Sequence, residues 1–274
     1  MSDAQAPTLD VNSPRYTVVF ATVVCLICAA LVATTAVVLK PRQEANARLY
    51  MEKNVLLAAD LAQPGEALGI AEVNAIFERA IERRLVDLRS GGIVPADPQT
   101  VRGYDQRSAR NDPATSYPAP PNEAGVQRLP ERALAYFVVR DGRVEQVVLP
   151  VEGLGMWGTM YGFIAFAADG NTVSGLTFYE HRETPGLGGE IASADWQQLW
   201  EGRLAYDAEG RASLEVIKGQ AGPPAEDPFR VDGISGATVT SKAVSQLMRF
   251  WLSEAGYAEF LRRFRQGELE GEIL

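Results

Sequence analysis

The sequence predicts an α+β protein with a single N-terminal transmembrane helix, a helical neck and a domain built on a largely antiparallel sheet. Three observations carry this prediction. Residues 17–39 form an apolar run without charge, helical periodicity follows the run, and short β-branched and aromatic segments separated by turns begin at Ala133. A chain of 274 residues has room for one anchor and one medium-sized domain with its own core.

The composition excludes several classes of function. The formal net charge is -9, and Lys and Arg are not clustered as phosphate neutralisation along a nucleic acid requires. Cys25 and Cys28 are the only cysteines, and both lie in the apolar run, so the rest of the chain can form neither a disulfide nor a thiolate metal site. Without further soft ligands nearby, their CxxC spacing is better explained by packing in lipid than by redox or metal chemistry.

Residues 17–39 have about the 20 residues that a helix needs to cross a hydrocarbon core. A cleaved signal peptide has a basic start and a shorter apolar core, whereas Asp3 and Asp10 precede this run and Lys40 follows it directly. We therefore expect an uncleaved anchor, preceded by an N-terminal segment over residues 1–16.

The flanking charges bear on orientation. Arg15 precedes the run, whereas Lys40, Arg42 and Arg48 follow it. Charge counting alone therefore predicts a C-terminal domain in the cytoplasm.

Residues 40–132 are predicted to form a helical neck and an irregular connector. Apolar residues at spacings of three and four predict amphipathic helices over 43–62 and 71–90, separated by the Pro64-Gly65 turn. Residues 91–130 are rich in Pro, Gly, Asn and Asp without periodicity, which predicts a long irregular segment.

The main domain is predicted over residues 133–265, followed by a polar tail over 266–274. Asp141-Gly142 and Asp169-Gly170 each separate two strand-like runs, which predicts two β-hairpins. The remaining predicted elements are a helix over 192–203, a strand over 212–218 and a longer amphipathic helix over 241–264.

The segment GLGMWG, residues 153–158, has the letters of the dinucleotide fingerprint GxGxxG. That fingerprint requires a strand that turns into a helix, whereas the residues after Gly158 are β-like and lead to a hairpin turn. Two interpretations remain: a loop that lets backbone approach a flat ligand with Trp157 stacking on it, or a tight turn with Trp157 in the core.

A second glycine-rich loop, HRETPGLGGE, covers residues 181–190 between a strand and a helix. Its glycines and proline indicate an unusual backbone path. His181 has no companion ligands and no nucleophile to activate, so we expect a solvated loop residue.

A third loop, DGISGATVTS, covers residues 232–241 and leads into a helix predicted to start near Lys242. Thr240 or Ser241 can be a simple N-cap. A loop rich in glycine and hydroxyls at a helix N-terminus also offers N–H groups and a positive dipole end to an anion.

The segment DGISGAT resembles the acceptor motif of proteins modified by a dedicated FMN transferase, in which the threonine after the alanine carries FMN. Thr238 occupies that position. GLGMWGTMYGF, HRETPGLGGE and SGATVTSKAV occur in the order and spacing of the NqrC family, a subunit of the sodium-pumping NADH:quinone oxidoreductase, which the chain resembles along the span and from about Ala133 onward. The RnfG family, from the Rnf electron-transport complex, shares ETPGLG and SGAT, so it remains an alternative, as does a non-redox membrane-tethered binding module.

The resemblance implies that residues 133–265 bind FMN covalently through a phosphoester on Thr238. Ser235, Gly236, Ala237 and Thr240 are the candidate phosphate neighbours. The candidate ring contacts are Thr184, Leu187, Gly188, Met156 and Trp157. No catalytic residue or metal ligand is assigned to this chain.

The resemblance also implies a role and a place in the cell. The flavin relays electrons between redox centres of other subunits in a bacterial inner-membrane complex that couples NADH oxidation and quinone reduction to sodium export, and the chain is not active alone. An FMN transferase acts during maturation. The N-terminus is cytoplasmic and the FMN-binding domain periplasmic, which is opposite to the orientation that charge counting predicts.

Overall fold

The computed structural model describes residues 13–273, which divide into two compact units at Tyr50 and Met51. Residues 1–12 of the predicted N-terminal segment and Leu274 of the predicted tail lie outside the described residues.

The first unit consists of most of helix α1, Pro14–Ala58, and includes the apolar run over 17–39. The helix is long and apolar enough to cross a membrane, and the large apolar side chains along this run are exposed. The predicted separate helix over 43–62 is instead the last part of α1. Pro41 removes one helical hydrogen bond without ending the helix.

The strands of the second unit are β1 Ile81–Asp87, β2 Ile93–Val94, β3 Ser116–Pro118, β4 Arg128–Pro130, β5 Arg132–Arg140, β6 Arg143–Leu154, β7 Thr159–Ala167, β8 Val173–Glu180, β9 Glu215–Val216 and β10 Arg230–Val231. Six of them form an antiparallel sheet with strand order β2-β1-β5-β6-β7-β8. Two short ladders lie outside this sheet, β3 with β4 and β9 with β10. The remaining helices are α2 Ile70–Ala80, α3 Pro98–Gly103, α4 Gln106–Asn111, α5 Ala194–Gln198, α6 Thr238–Trp251, α7 Ala258–Arg265 and α8 Glu270–Ile273, with a 3₁₀ turn over Gly188–Ala192.

Both predicted hairpins are present, formed by β5 with β6 and by β7 with β8. Asp141 and Gly142 have positive φ angles of 51° and 71°, as a two-residue turn that matches the strand twist requires. The turn after β7 is held by Asp169, whose carboxylate accepts from the N–H groups of Asn171 and Thr172.

The prediction of a helix over 71–90 is wrong in its second half. Residues 70–80 are helical, but 81–87 form β1, which pairs with β5 over seven residues. Sheet pairing therefore overrides the local helical pattern. The sheet begins before the predicted domain boundary at residue 133, and residues 91–130, predicted to be irregular, contain α3, α4 and three short strands.

The other differences concern length. The predicted helix over 241–264 is divided into α6 and α7, because a bend brings Gly256 so close to Trp251 that a Cβ on this glycine would lie 2.4 Å from the Trp251 carbonyl oxygen. The helix predicted over 192–203 is the short α5, and the strand predicted over 212–218 is the two-residue β9. The tail contains α8, which buries Ile273.

Helices cover both faces of the sheet. On one face, α6 packs Leu247 and Trp251 against β6, and the Trp251 Nε1–H donates to the Glu152 carbonyl oxygen at 2.7 Å. The other face carries α2 and the end of α1, where the Thr177 hydroxyl donates to the Asn54 carbonyl oxygen. The packing on the first face fixes the start of α6 relative to the loop after β6.

The close packing at Gly175 on β8 yields a stability prediction. A Cβ at this position would lie 2.2 Å from the Ala58 carbonyl oxygen, so Gly175→Ala forces the end of α1 away from the sheet. We expect the free energy of unfolding to fall by about 1–3 kcal/mol. Gly103→Ala is the control, because a Cβ there meets no atom within 4 Å. Chemical denaturation of both full-length variants in detergent tests this, and equal stability would contradict the packing described.

Candidate functional site

Three glycine-rich loops meet at the N-terminus of α6, and the buried carboxylate of Glu183 joins them. Glu183 lies in the loop after β8 and is 4% exposed. Its Oε1 accepts from the Trp157 backbone N–H at 3.0 Å, in the turn between β6 and β7. Its Oε2 accepts from the Thr240 hydroxyl, in the first turn of α6. One side chain therefore holds all three loops that the sequence singled out.

The glycines of these loops make the close approach possible. A Cβ on Gly155 would lie 2.5 Å from Glu183 Oε1, and a Cβ on Gly188 would lie 2.4 Å from Thr240 Oγ1. The Gly155 N–H donates to the Gly158 carbonyl oxygen at 2.8 Å, which closes a tight turn between β6 and β7. GLGMWG is thus a hairpin connection and not a dinucleotide fingerprint.

Helix α6 begins at Thr238, four residues before the predicted start, and Thr238 is exposed. The N-cap is Ala237, with no side-chain cap, so the N-cap interpretation of Thr240 and Ser241 is wrong: both residues lie inside the helix. The Ser241 hydroxyl instead accepts from the Ile234 N–H at 3.1 Å and fixes the preceding loop.

The first turn of α6 retains free donors. Within residues 13–273, no acceptor is found for the backbone N–H groups of Thr238, Val239 and Thr240. Gly236 has a φ of +75°, a conformation that glycine adopts without strain. The helix start thus combines an exposed hydroxyl with unpaired N–H groups and the positive end of the helix dipole.

A cavity of about 690 Å³ opens beside Thr238. Its walls are the segments 215–220 and 232–236, one side of α6 and Glu123. Lys218 and Lys242 are exposed in its lining and have no ion pair in the described part of the chain, whereas Arg249 pairs with Glu215 at 3.7 Å. The two lysines are therefore free to neutralise an anion beside Thr238.

Apolar side chains stand exposed near the same helix start. Met156, Trp157, Leu187 and Val239 are 53%, 61%, 44% and 57% exposed. A Cβ on Gly236 would lie 2.9 Å from Leu187 Cδ2, so this leucine lies directly against the loop that carries Thr238. Because Trp157 is exposed, the alternative that placed it in the core is wrong, and it is available to a flat ligand.

The structure brings most of the predicted site residues together, with one change of role. Ser235 and Gly236 line the cavity with Thr238, and Ala237 is buried behind them. Thr184 and Leu187 are exposed, and Gly188 is buried against Thr240. Thr240 is 2% exposed and its hydroxyl donates to Glu183, so its side chain is engaged and only its backbone N–H lacks an acceptor within residues 13–273.

Sequence reasoning missed Glu183, Lys218 and Lys242. The sequence does not distinguish Glu183 from Glu190, which lies in the same loop and is exposed. His181, expected to be solvated, is only partly exposed, and its Nδ1 is buried without a partner within residues 13–273.

The chain is similar to known proteins over most of its length. The family of FMN-binding domains matches residues 155–253, which contain the second and third loops and residues 155–158 of the first. The NqrC subunit of the Na(+)-translocating NADH-quinone reductase of Pseudomonas aeruginosa is 43% identical over 260 residues, 94% of this chain and 98% of that relative. The corresponding protein of Yersinia pestis is 40% identical over 93% of this chain and 94% of its own length.

Solved structures give the same relationship. The crystal structure of NqrC from Shewanella oneidensis superposes with a TM-score of 0.74 at 31% identity and covers 81% of this chain and 99% of that one. The crystal structure of the corresponding reductase subunit from Parabacteroides distasonis gives a TM-score of 0.61 at 26% identity, with 81% and 96% of the two chains covered.

The contact between Ser241 and Ile234 yields a prediction about the loop before α6. In Ser241→Ala the Ile234 N–H loses its acceptor in a partly buried position. We expect the free energy of unfolding to fall by about 1–2 kcal/mol. Ser235→Ala, at an exposed position in the same loop, should leave stability unchanged. Denaturation curves of Ser241→Ala and Ser235→Ala test this prediction. Equal curves would contradict a stabilising hydrogen bond between Ser241 and Ile234.

Proposed function

This chain belongs to the NqrC family of the Na(+)-translocating NADH-quinone reductases, and we propose that it is the electron-relay subunit that holds FMN covalently on Thr238. The observation that carries the proposal is the exposed Thr238 hydroxyl at the start of α6, in the stretch that matches FMN-binding domains. Covalent attachment to a threonine Oγ needs a hydroxyl that a modifying enzyme can reach, and Thr240 is buried.

The surroundings of Thr238 fit a phosphodiester. The free N–H groups of the first turn of α6 and its dipole stabilise the negative charge that remains on the phosphate. Lys242 and Lys218, on the cavity side, add positive charge. Ser235 and Gly236 border the same space, and Ser235 can donate through its hydroxyl.

The exposed apolar residues fit the flat ring system. Met156, Trp157 and Leu187 offer the ring apolar contact area. Thr184 is exposed in the same loop as Leu187. Bound FMN supplies the one-electron transfer chemistry, and the residues of this chain hold it, orient it and keep it accessible to neighbouring redox centres.

The chain is proposed to act within a complex and not alone. GLGMWG closes a hairpin, so within the described residues it offers no dinucleotide site for NADH. The relatives described above are named as one subunit of a sodium-translocating NADH-quinone reductase. These names and the FMN-binding match favour the relay over an RnfG protein and over a non-redox binding module.

Maturation and orientation complete the proposal. An FMN transferase attaches the flavin to Thr238 in the DGISGAT segment: a P–O bond forms to the Thr238 Oγ, which loses its proton, while the bond to the leaving phosphate of an activated FMN donor breaks. We place the FMN-binding domain on the periplasmic side of the inner membrane. The flanking cations Lys40, Arg42 and Arg48 oppose this orientation. The imbalance is small, however, and long domains translocate largely regardless of flanking charge.

The attachment site is tested by intact-mass analysis of the full-length chain co-expressed with an FMN transferase. Wild type should gain one FMN-sized mass, Thr238→Ala none, and Thr238→Ser a partial addition, because the serine keeps the hydroxyl. Thr240→Ala is the matched control and should reach full modification after prolonged expression. FMN retained by the Thr238→Ala variant would overturn the assignment.

Orientation is tested by fusing alkaline phosphatase, which is active only when exported, to the C-terminus. We expect an active fusion. A fluorescent reporter that folds only in the cytoplasm, fused at the same place, should stay dark. The reverse pattern would show that the flanking charges decide the topology.

A further inference from the structure

We propose that Glu183 is the positioning residue of the flavin site: its carboxylate sets the loop of Trp157 against the first turn of α6, so that Thr238 is presented for modification and the attached FMN adopts one orientation. The inference rests on the proposed function of Thr238. It assigns the relative position of these two segments to a residue of the loop over 181–190, which also carries Thr184 and Leu187.

The geometry leads from Glu183 to both halves. Its Oε2 accepts from Thr240, two residues after Thr238 in the same helical turn, so the contact holds the turn that carries the acceptor hydroxyl. Its Oε1 accepts from the Trp157 N–H, which holds the loop that presents Met156 and Trp157. A shift of this one side chain moves the ring side and the phosphate side relative to each other.

Burial shows that this carboxylate is not ordinary surface charge. Glu183 is 4% exposed and forms no ion pair with any residue between 13 and 273. A buried carboxylate without a counter-ion is costly to desolvate, and an apolar side chain of similar volume would fill the same space at lower cost. Its two hydrogen bonds supply directional constraints that an apolar side chain lacks.

The glycines reinforce the same arrangement. Gly155 and Gly188 both approach the Glu183–Thr240 pair so closely that neither has room for a Cβ. The three loops are therefore in contact around the carboxylate, and the Glu183 side chain has no free space beside Gly155 or Gly188 into which it could move. The two hydrogen bonds of the Glu183 side chain connect its own loop to the loop of Trp157 and to the loop of Thr240.

The test uses the full-length chain in membranes, co-expressed with an FMN transferase, and follows the FMN mass addition over time after induction of the transferase. The variants are Glu183→Ala, Glu183→Gln, Thr240→Val and the Glu183→Ala/Thr240→Val pair. Glu190→Gln is the matched control, because Glu190 is an exposed carboxylate in the same loop. The second readout is the visible circular dichroism of the attached flavin, which reports one fixed orientation and not global stability.

We expect Glu183→Ala to slow attachment about tenfold, as the loss of a buried charge-assisted contact predicts, and to weaken the flavin circular dichroism. Glu183→Gln should stay within about twofold of wild type, because its amide oxygen can accept from Trp157 while its NH₂ donates to the Thr240 hydroxyl. Thr240→Val should slow attachment about threefold, and the double variant should be no slower than Glu183→Ala, because both changes break the same contact.

Attachment at the wild-type rate with unchanged circular dichroism in Glu183→Ala would overturn the proposal. If Glu183→Ala does not fold, attachment at the wild-type rate with unchanged circular dichroism in Thr240→Val overturns the proposal. Equally slow attachment in Glu183→Gln and Glu183→Ala would also overturn the proposal. That result would show that FMN attachment depends on the negative charge of Glu183 and not on its two hydrogen bonds. Failure of the Thr238 assignment is distinguishable, because it appears as FMN retained by Thr238→Ala.

Discussion

The carboxylate of Glu183 receives one hydrogen bond from the turn between β6 and β7 and one from the first turn of α6, and the arrangement of the site follows from these two contacts. The sheet fixes β6, β7 and β8, and the packing of Leu247 and Trp251 fixes α6 against β6. That scaffold still leaves three loops with glycines at their bends. A buried acceptor with two fixed donors removes this freedom, because each donor loses its partner if its loop moves.

The sequence predicts best those elements whose cause is local. An Asp-Gly pair sets the turn between β5 and β6, where both residues adopt positive φ, and the alternating strands on either side follow from it. β1 shows the opposite case. Its residues continue a helical pattern from α2, and only pairing with β5, about 50 residues later in the chain, makes them a strand. The break between α6 and α7 likewise depends on a close approach between Gly256 and Trp251 that periodicity does not reveal.

The site likewise contains residues that the sequence predicts and residues that only the fold brings together. Thr238 is predicted to be the FMN attachment residue because DGISGAT resembles an acceptor motif. From the residues alone, Thr238, Thr240 and Ser241 are equivalent hydroxyls at a helix start. The fold separates them: Thr238 is exposed, Thr240 is buried against Glu183 and Ser241 holds the preceding loop. Lys218 and Lys242 are far apart in sequence, and only the cavity beside α6 shows that they border one space.

The placement of polar and apolar groups around Thr238 explains why a relay suits this site better than an enclosed active site. In the site that we propose, free N–H groups and two lysines lie where an anionic end can bind, and exposed apolar side chains lie where a flat ring can bind and stay open to the surroundings. An electron relay needs access for neighbouring redox centres and a cofactor held in one geometry, whereas it needs no cavity that excludes water around a substrate. The covalent anchor that we propose on Thr238 keeps the cofactor in place without burial, so rigidity must come from the protein around it. The glycine-dependent contacts at Glu183 provide that rigidity where the ring side and the anchor side of the site meet.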